Sequence, residues 1–252
     1  MTSTIAQTAP RDATFLRRSF GVLAVAALIG AASFARGPDF DPTFAPVLAQ
    51  SPVVFADGTT LHVQKYEVTV AEWNRCNDAK ACTQRLRVTG NRTAQTMPAT
   101  GLSYVDVSEY LAWINTATGH DYRLPTLAEW EYMAAEVLPE APDPIFTDPE
   151  LTWASAYLTE PQTKRTLHPQ GVFDTTSQGI VDLNGSVWEW TNDCYAGASK
   201  GDVTRDQCPA FFVGGEHIAA ISFLVRDPAR GGCAVGVPPA HLGMRLVTES
   251  RP

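Results

Sequence analysis

Proline and glycine occur eighteen times each, spread along the whole chain, and this caps the length of any regular element. Proline breaks helices and strands, and glycine costs entropy inside both. The sequence therefore predicts short helices, short strands and long ordered loops around a core. The hydrophobic fraction of 44% supplies that core, and 252 residues minus an export segment suffice for one domain.

The first 35 residues read as a targeting signal. Arg17-Arg18-Ser19-Phe20 precedes an uncharged apolar run from Gly21 to Ala35, the pattern of a twin-arginine export signal. About 15 apolar residues fall short of the roughly 20 needed to span a bilayer, so no stable membrane insertion is expected. Small residues allow cleavage after Ala35 or after Ala49. Residues 36–52 read as a Pro-rich linker and mobile arm, and 53–252 as the folded domain. Past the signal, 16 basic face 26 acidic groups, a balance that repels nucleic acid and anionic lipid.

Five cysteines fit export to an oxidising compartment. Proximity predicts Cys76–Cys82 and Cys194–Cys208 disulfides, leaving Cys233 over. That thiol is either buried and inert, or a nucleophile or soft metal ligand.

Local signals place the elements. Val53-Val54-Phe55, the turn Asp57-Gly58 and Leu61 to Tyr66 read as a hairpin. Thr69 caps a first helix, and Ser103 caps a second running to about Asn115. The second presents Val107, Tyr110, Leu111 and Ile114 at helical spacing. Thr126 and Glu129 form a capping box for a third, with Trp130, Met133 and Ala134 inward. Phe211 to Gly215 and His241 to Val247 read as strands. Residues 139–149 form a proline-laden breaker, and 151–166 a surface excursion.

Four blocks in this order resemble one family: Glu67-Val68-Thr69; Tyr122-Arg123-Leu124-Pro125-Thr126 ending in Glu129-Trp130-Glu131-Tyr132; Gly179 to Trp190; and Gly214-Gly215 followed by Gly243-Met244-Arg245-Leu246-Val247. The family is that of the formylglycine-generating enzymes, or sulfatase-modifying factors. The resemblance implies an irregular α+β fold of the C-type-lectin-like kind. Trp130, Trp188 and Trp190 are expected in the core, and Arg123 in a buried ion pair or as a clamp on backbone carbonyls.

The resemblance also implies a calcium ion held by Asp182 and Glu189 side chains and Gly185 and Val187 carbonyls, oxygens suited to a hard cation. Family members that oxidise cysteine hold copper(I) on two cysteines shortly after the Gly-Gly. Here residues 215–224 contain none, and Ala219 stands where the first is expected. Formylglycine formation by that route is therefore not expected. Three functions remain. One is a periplasmic accessory or maturation factor resembling the NirV branch, with a protein partner such as a copper nitrite reductase and a groove lined by Ile218, Ala219 and Phe223. Another is a divergent oxidoreductase with copper or iron on His217, Cys233 and His241. The last is a lectin-like binding module. Other catalytic templates, such as a P-loop or G-x-S-x-G elbow, are absent from the sequence.

Overall fold

The computed structural model describes residues 40–138, 145, 166–197, 204, 207–216, 218–228 and 241–250. The export signal, the breaker at 139–149 apart from Ile145, and nearly all of the excursion at 151–166 lie outside them.

Three helices start where the sequence places caps. Helix α1 spans Val70–Asp78, α2 Tyr104–Thr118 and α3 Leu127–Ala134. Each opens with a reciprocal capping box, Thr69 with Glu72, Ser103 with Asp106, and Thr126 with Glu129, which satisfies otherwise orphaned N–H groups. Helix α2 outruns its expected end by three residues and stops at Gly119, whose φ of 71° is the left-handed conformation glycine adopts freely.

Strands β1 (Val53–Val54) and β2 (Thr60–Val63) form the expected hairpin, with Val53 opposite Leu61. A second sheet contains β3 (Trp188–Tyr195), β4 (Ala210–Gly214), β5 (Ala219–Ser222) and β6 (Leu242–Gly243), in the order β5-β4-β3-β6. Strand β7 (Val247–Thr248) leaves this sheet and pairs with β2. The C-terminal segment, read as one strand, is thus two, broken at Met244–Leu246. The break lets Arg245 turn into the interior.

Both expected disulfides are formed, Cys76–Cys82 and Cys194–Cys208. Among the described residues no helix is long and apolar enough to cross a membrane.

The expected mobile arm is corrected from Phe40 onward. The Asp41 N–H donates to the Ala117 carbonyl, and Pro42–Phe44 forms a 3-10 turn that puts Phe44 against Trp113. Further on, the Lys65 N–H donates to Val47 O and the Ala49 N–H to Val63 O. Proline fixes the turn, and the following residues extend the hairpin sheet instead of leaving it.

Trp73, Trp188 and Trp190 share one hydrophobic cluster with Leu102, Ile114 and Met244. Trp130 anchors a second, with Leu61, Val63, Met133, Leu183 and Val247. Gly214 and Gly215 lie flat against these rings. A Cβ on Gly214 would come within 2.2 Å of Trp130, and one on Gly215 within 2.5 Å of Trp188. The Gly-Gly pair is needed for this close approach. Gly214→Ala and Gly215→Ala should each cost at least about 1–3 kcal/mol through overpacking, read as a lower denaturation midpoint with unchanged m-value.

Candidate functional site

The loop after the Gly-Gly pair is where the resemblance implies chemistry. Its centre is β5, antiparallel to β4 with Val213 opposite Ala219 and Phe211 opposite Ile221. Ala219, Ala220 and Ile221 are all buried. Ala219 therefore packs in the core and does not line an open groove, a correction to the sequence reading. Ile218 and Phe223 are half-buried, and Leu224 is 64% exposed.

This loop is tied to the start of α2. The Tyr104 N–H donates to Phe223 O at 3.1 Å. Arg226 donates from Nε and Nη2 to the two Asp106 carboxylate oxygens at 2.7 and 2.6 Å. Asp106 also accepts from the Ser103 N–H and hydroxyl. Burial raises the Asp106 pKa, but the bonds from Arg226 and Ser103 outweigh it and hold the carboxyl below its usual range. A bidentate Arg–carboxylate pair has both energy and directionality, so it ties the Phe223–Arg226 segment to the start of α2, where Val105 is exposed.

The second region lies under the tryptophan block. Arg245 is fully buried and all five of its donors are engaged. Nε and Nη2 reach Glu189 Oε1 at 3.0 and 2.7 Å, Nη1 reaches Gln64 O and Lys65 O, and Nη2 also reaches Val181 O. Trp130 Nε1 donates to Glu189 Oε2 at 3.0 Å. Glu67 Oε2, equally buried, stands 3.9 Å from Arg245 Nη2 with no hydrogen bond. Burial above all pushes the Glu67 pKa up to about 8; Arg245 opposes this and the Glu189 charge adds to it.

Asp182, with φ of 68°, is also buried, and its carboxylate accepts the N–H groups of Gly171 and Phe173. The expected calcium ligands Asp182, Gly185, Val187 and Glu189 thus lie along the turn into β3. Both carboxylates, however, already face N–H donors, and Glu189 is the counter-charge of Arg245. With these donors in place, the two carboxylates fit a calcium ion poorly.

Of the other expected ligands, His217 and Cys233 lie outside the described residues. His241 is half-buried, and its carbonyl accepts the Trp188 N–H. Arg123 makes the expected ion pair, bidentate to Glu129 and with a further contact to Glu249. Sequence reasoning missed the roles of Glu67, Asp106, Arg226 and Arg245. Glu67 and Arg245 stood in recognised blocks, so the signal existed, but their pairing across the chain did not show.

Two outcomes follow from the buried cluster. Arg245→Met should destabilise by about 3–5 kcal/mol by stranding Glu189 without its counter-charge, measured by chemical denaturation. Folded Glu67 binds its proton up to about pH 8, and unfolded Glu67 only to about pH 4.5. Its contribution to stability therefore falls as pH rises through that window. Relative to Glu67→Gln, the wild type should lose stability between those pH values; parallel pH profiles would refute the assignment.

A family model described as "Sulfatase-modifying factor enzyme 1-like domain" matches residues 28–250. Among solved structures, PvdO from Pseudomonas aeruginosa is similar at 17% identity, with 84% of this chain and 99% of that chain covered and a TM-score of 0.48. CarF is similar at 16% identity, with 82% and 100% covered and a TM-score of 0.46. Treponema denticola variable protein 1 is similar at 15%, with 81% and 93% covered and a TM-score of 0.45. No curated protein sequence matches the chain significantly. With the family model spanning nearly all of the sequence and the α+β fold in place, the chain belongs to the sulfatase-modifying factor enzyme 1-like domain family.

Proposed function

We propose that this protein is an exported accessory or maturation factor that does not itself make formylglycine. The observation that carries this reading is the loop beyond Gly215. Residues 215–224 hold no cysteine, and Ala219 is buried in β5 at 1% exposure. Copper(I) needs soft sulfur donors, and this loop offers none. We read exposed Leu224 and half-buried Phe223, tied by the Arg226–Asp106 clamp to the start of α2 with its exposed Val105, as an apolar rim. Such a rim suits a protein segment better than a small polar substrate.

The proposed compartment is the periplasm, reached by the twin-arginine route; two disulfides and no membrane-crossing helix among the described residues are compatible with export. The proposed partner is a periplasmic enzyme, with a copper nitrite reductase first to be tried because of the resemblance to the NirV branch. The oxidoreductase alternative, with copper or iron on His217, Cys233 and His241, and the lectin-like alternative rest on the resemblance alone.

Three measurements separate these readings. The purified protein should convert no cysteine-bearing peptide to an aldehyde, and should carry no stoichiometric copper or iron. Metal that disappears in Cys233→Ala and His241→Ala would favour the oxidoreductase instead. A tagged chain captured from the periplasm should retain its partner, and Leu224→Asp should release it without lowering the melting temperature. For calcium, the occupied carboxylates predict no change in melting temperature between calcium and chelator. A rise of several degrees in calcium would show that the ion takes Glu189 from Arg245.

A further inference from the structure

Residues 84–89 run straight, without turn or bend, between α1 and α2. Their burial alternates: Gln84, Leu86 and Val88 are half-buried, and Arg85, Arg87 and Thr89 exposed. A two-residue period in a straight run is the mark of an extended strand. Among the described residues no strand pairs with it.

One edge of this run is covered by α1. Trp73 Nε1 donates to Gln84 O at 2.7 Å. The Asn74 side chain meets Leu86 twice: its Nδ2 donates to Leu86 O at 3.1 Å, and its Oδ1 accepts the Leu86 N–H at 3.0 Å. Asn74 thereby makes both bonds that a neighbouring strand residue makes in an antiparallel pair. In an extended chain the N–H and C=O of one residue point to one edge, and those of the next residue to the other. With Leu86 facing α1, the main-chain groups of Arg85, Arg87 and Thr89 face away. None of these makes a hydrogen bond to any described residue.

A pocket of about 130 Å³ adjoins this edge, with Val70, Leu86, Val88 and Met97 among its walls and Arg87 and Arg92 beside them. Neither of these two arginines has an ion-pair partner among the described residues, whereas Arg85 pairs with Asp78. The stretch 79–93 holds Lys80, Arg85, Arg87 and Arg92 and no acidic residue, in a chain of net charge -8. It is a basic island on an acidic protein. Pairing of this edge with a second copy of itself would bring arginine runs together, and like charges across strands repel. The complement of this edge is an extended acidic segment.

We propose that the Arg85–Thr89 edge receives an acidic peptide segment of a partner protein as an added strand, with an aliphatic side chain in the Val70–Met97 pocket and carboxylates on Arg87 and Arg92. Main-chain bonds supply affinity and the pocket supplies selectivity, as in strand addition generally. This surface is independent of the Leu224 rim and stands whether or not that rim binds a partner.

The test is selection of a random ten-residue peptide display library on the full, disulfide-bonded chain. The expected winners alternate aliphatic and acidic residues. The double variant Arg87→Glu/Arg92→Glu should weaken the best peptide by about tenfold or more while melting like the wild type, since both side chains are exposed. N-methylation of alternate peptide bonds in that peptide should abolish binding, because it removes the donors that a ladder needs. No enrichment over the charge-reversed protein, winners without acidic residues, or an N-methylated peptide that binds undiminished would each overturn the proposal.

Discussion

A buried guanidinium holds the centre of this fold together. Arg245 has no access to water, and desolvating a cation costs several kcal/mol unless every donor is matched. Here all five are. The matching groups come from the end of the hairpin at Gln64 and Lys65, the turn at Val181, and β3 at Glu189. One side chain thus fixes the small sheet, the tryptophan block and the C-terminal segment relative to one another. It also explains why that segment cannot be a continuous strand: residue 245 must leave the ladder to point inward, and pairing resumes with a different sheet at Val247.

The same cluster carries more negative charge than Arg245 alone balances. Glu189 has the guanidinium and the Trp130 N–H, and Asp182 has two backbone N–H groups. Glu67 has only a distant share of Arg245. Burial resolves the excess by raising the Glu67 pKa so that the carboxyl keeps its proton. A cation is the other way to settle such a charge. The donors already placed on Asp182 and Glu189 set the arrangement in favour of arginine and a proton.

What could be read from residues in order was what depends on neighbours in order. The three capping boxes, the Asp57-Gly58 turn and both disulfides need only short spacings, and they stand as expected. The Gly-Gly pair was visible as a motif, but its reason, two glycines lying flat on Trp130 and Trp188, is a contact across the chain. Strand β5 was missed because Ala219-Ala220-Ile221-Ser222 has no alternation to announce it. Its three leading residues are buried together, as in a strand covered on both faces. The arm after Phe40 was misjudged because proline-rich composition speaks of the absence of helix, not the absence of packing.

The buried position of Ala219 changes what the missing cysteines mean. If the loop beyond Gly215 kept an open path and had merely lost its sulfur, two substitutions would restore a copper-binding pair. Instead, residues 219–222 bond to β4 along their whole length, and residues 219–221 are sealed in the core. A thiol introduced at residue 219 would be a small hydrophobe among apolar neighbours, its pKa raised by burial and its reactivity suppressed. The Arg226–Asp106 clamp and the Tyr104–Phe223 bond then hold the exit of this strand against α2. The missing thiolates thus go with a loop built as sheet, beyond which Leu224 is exposed.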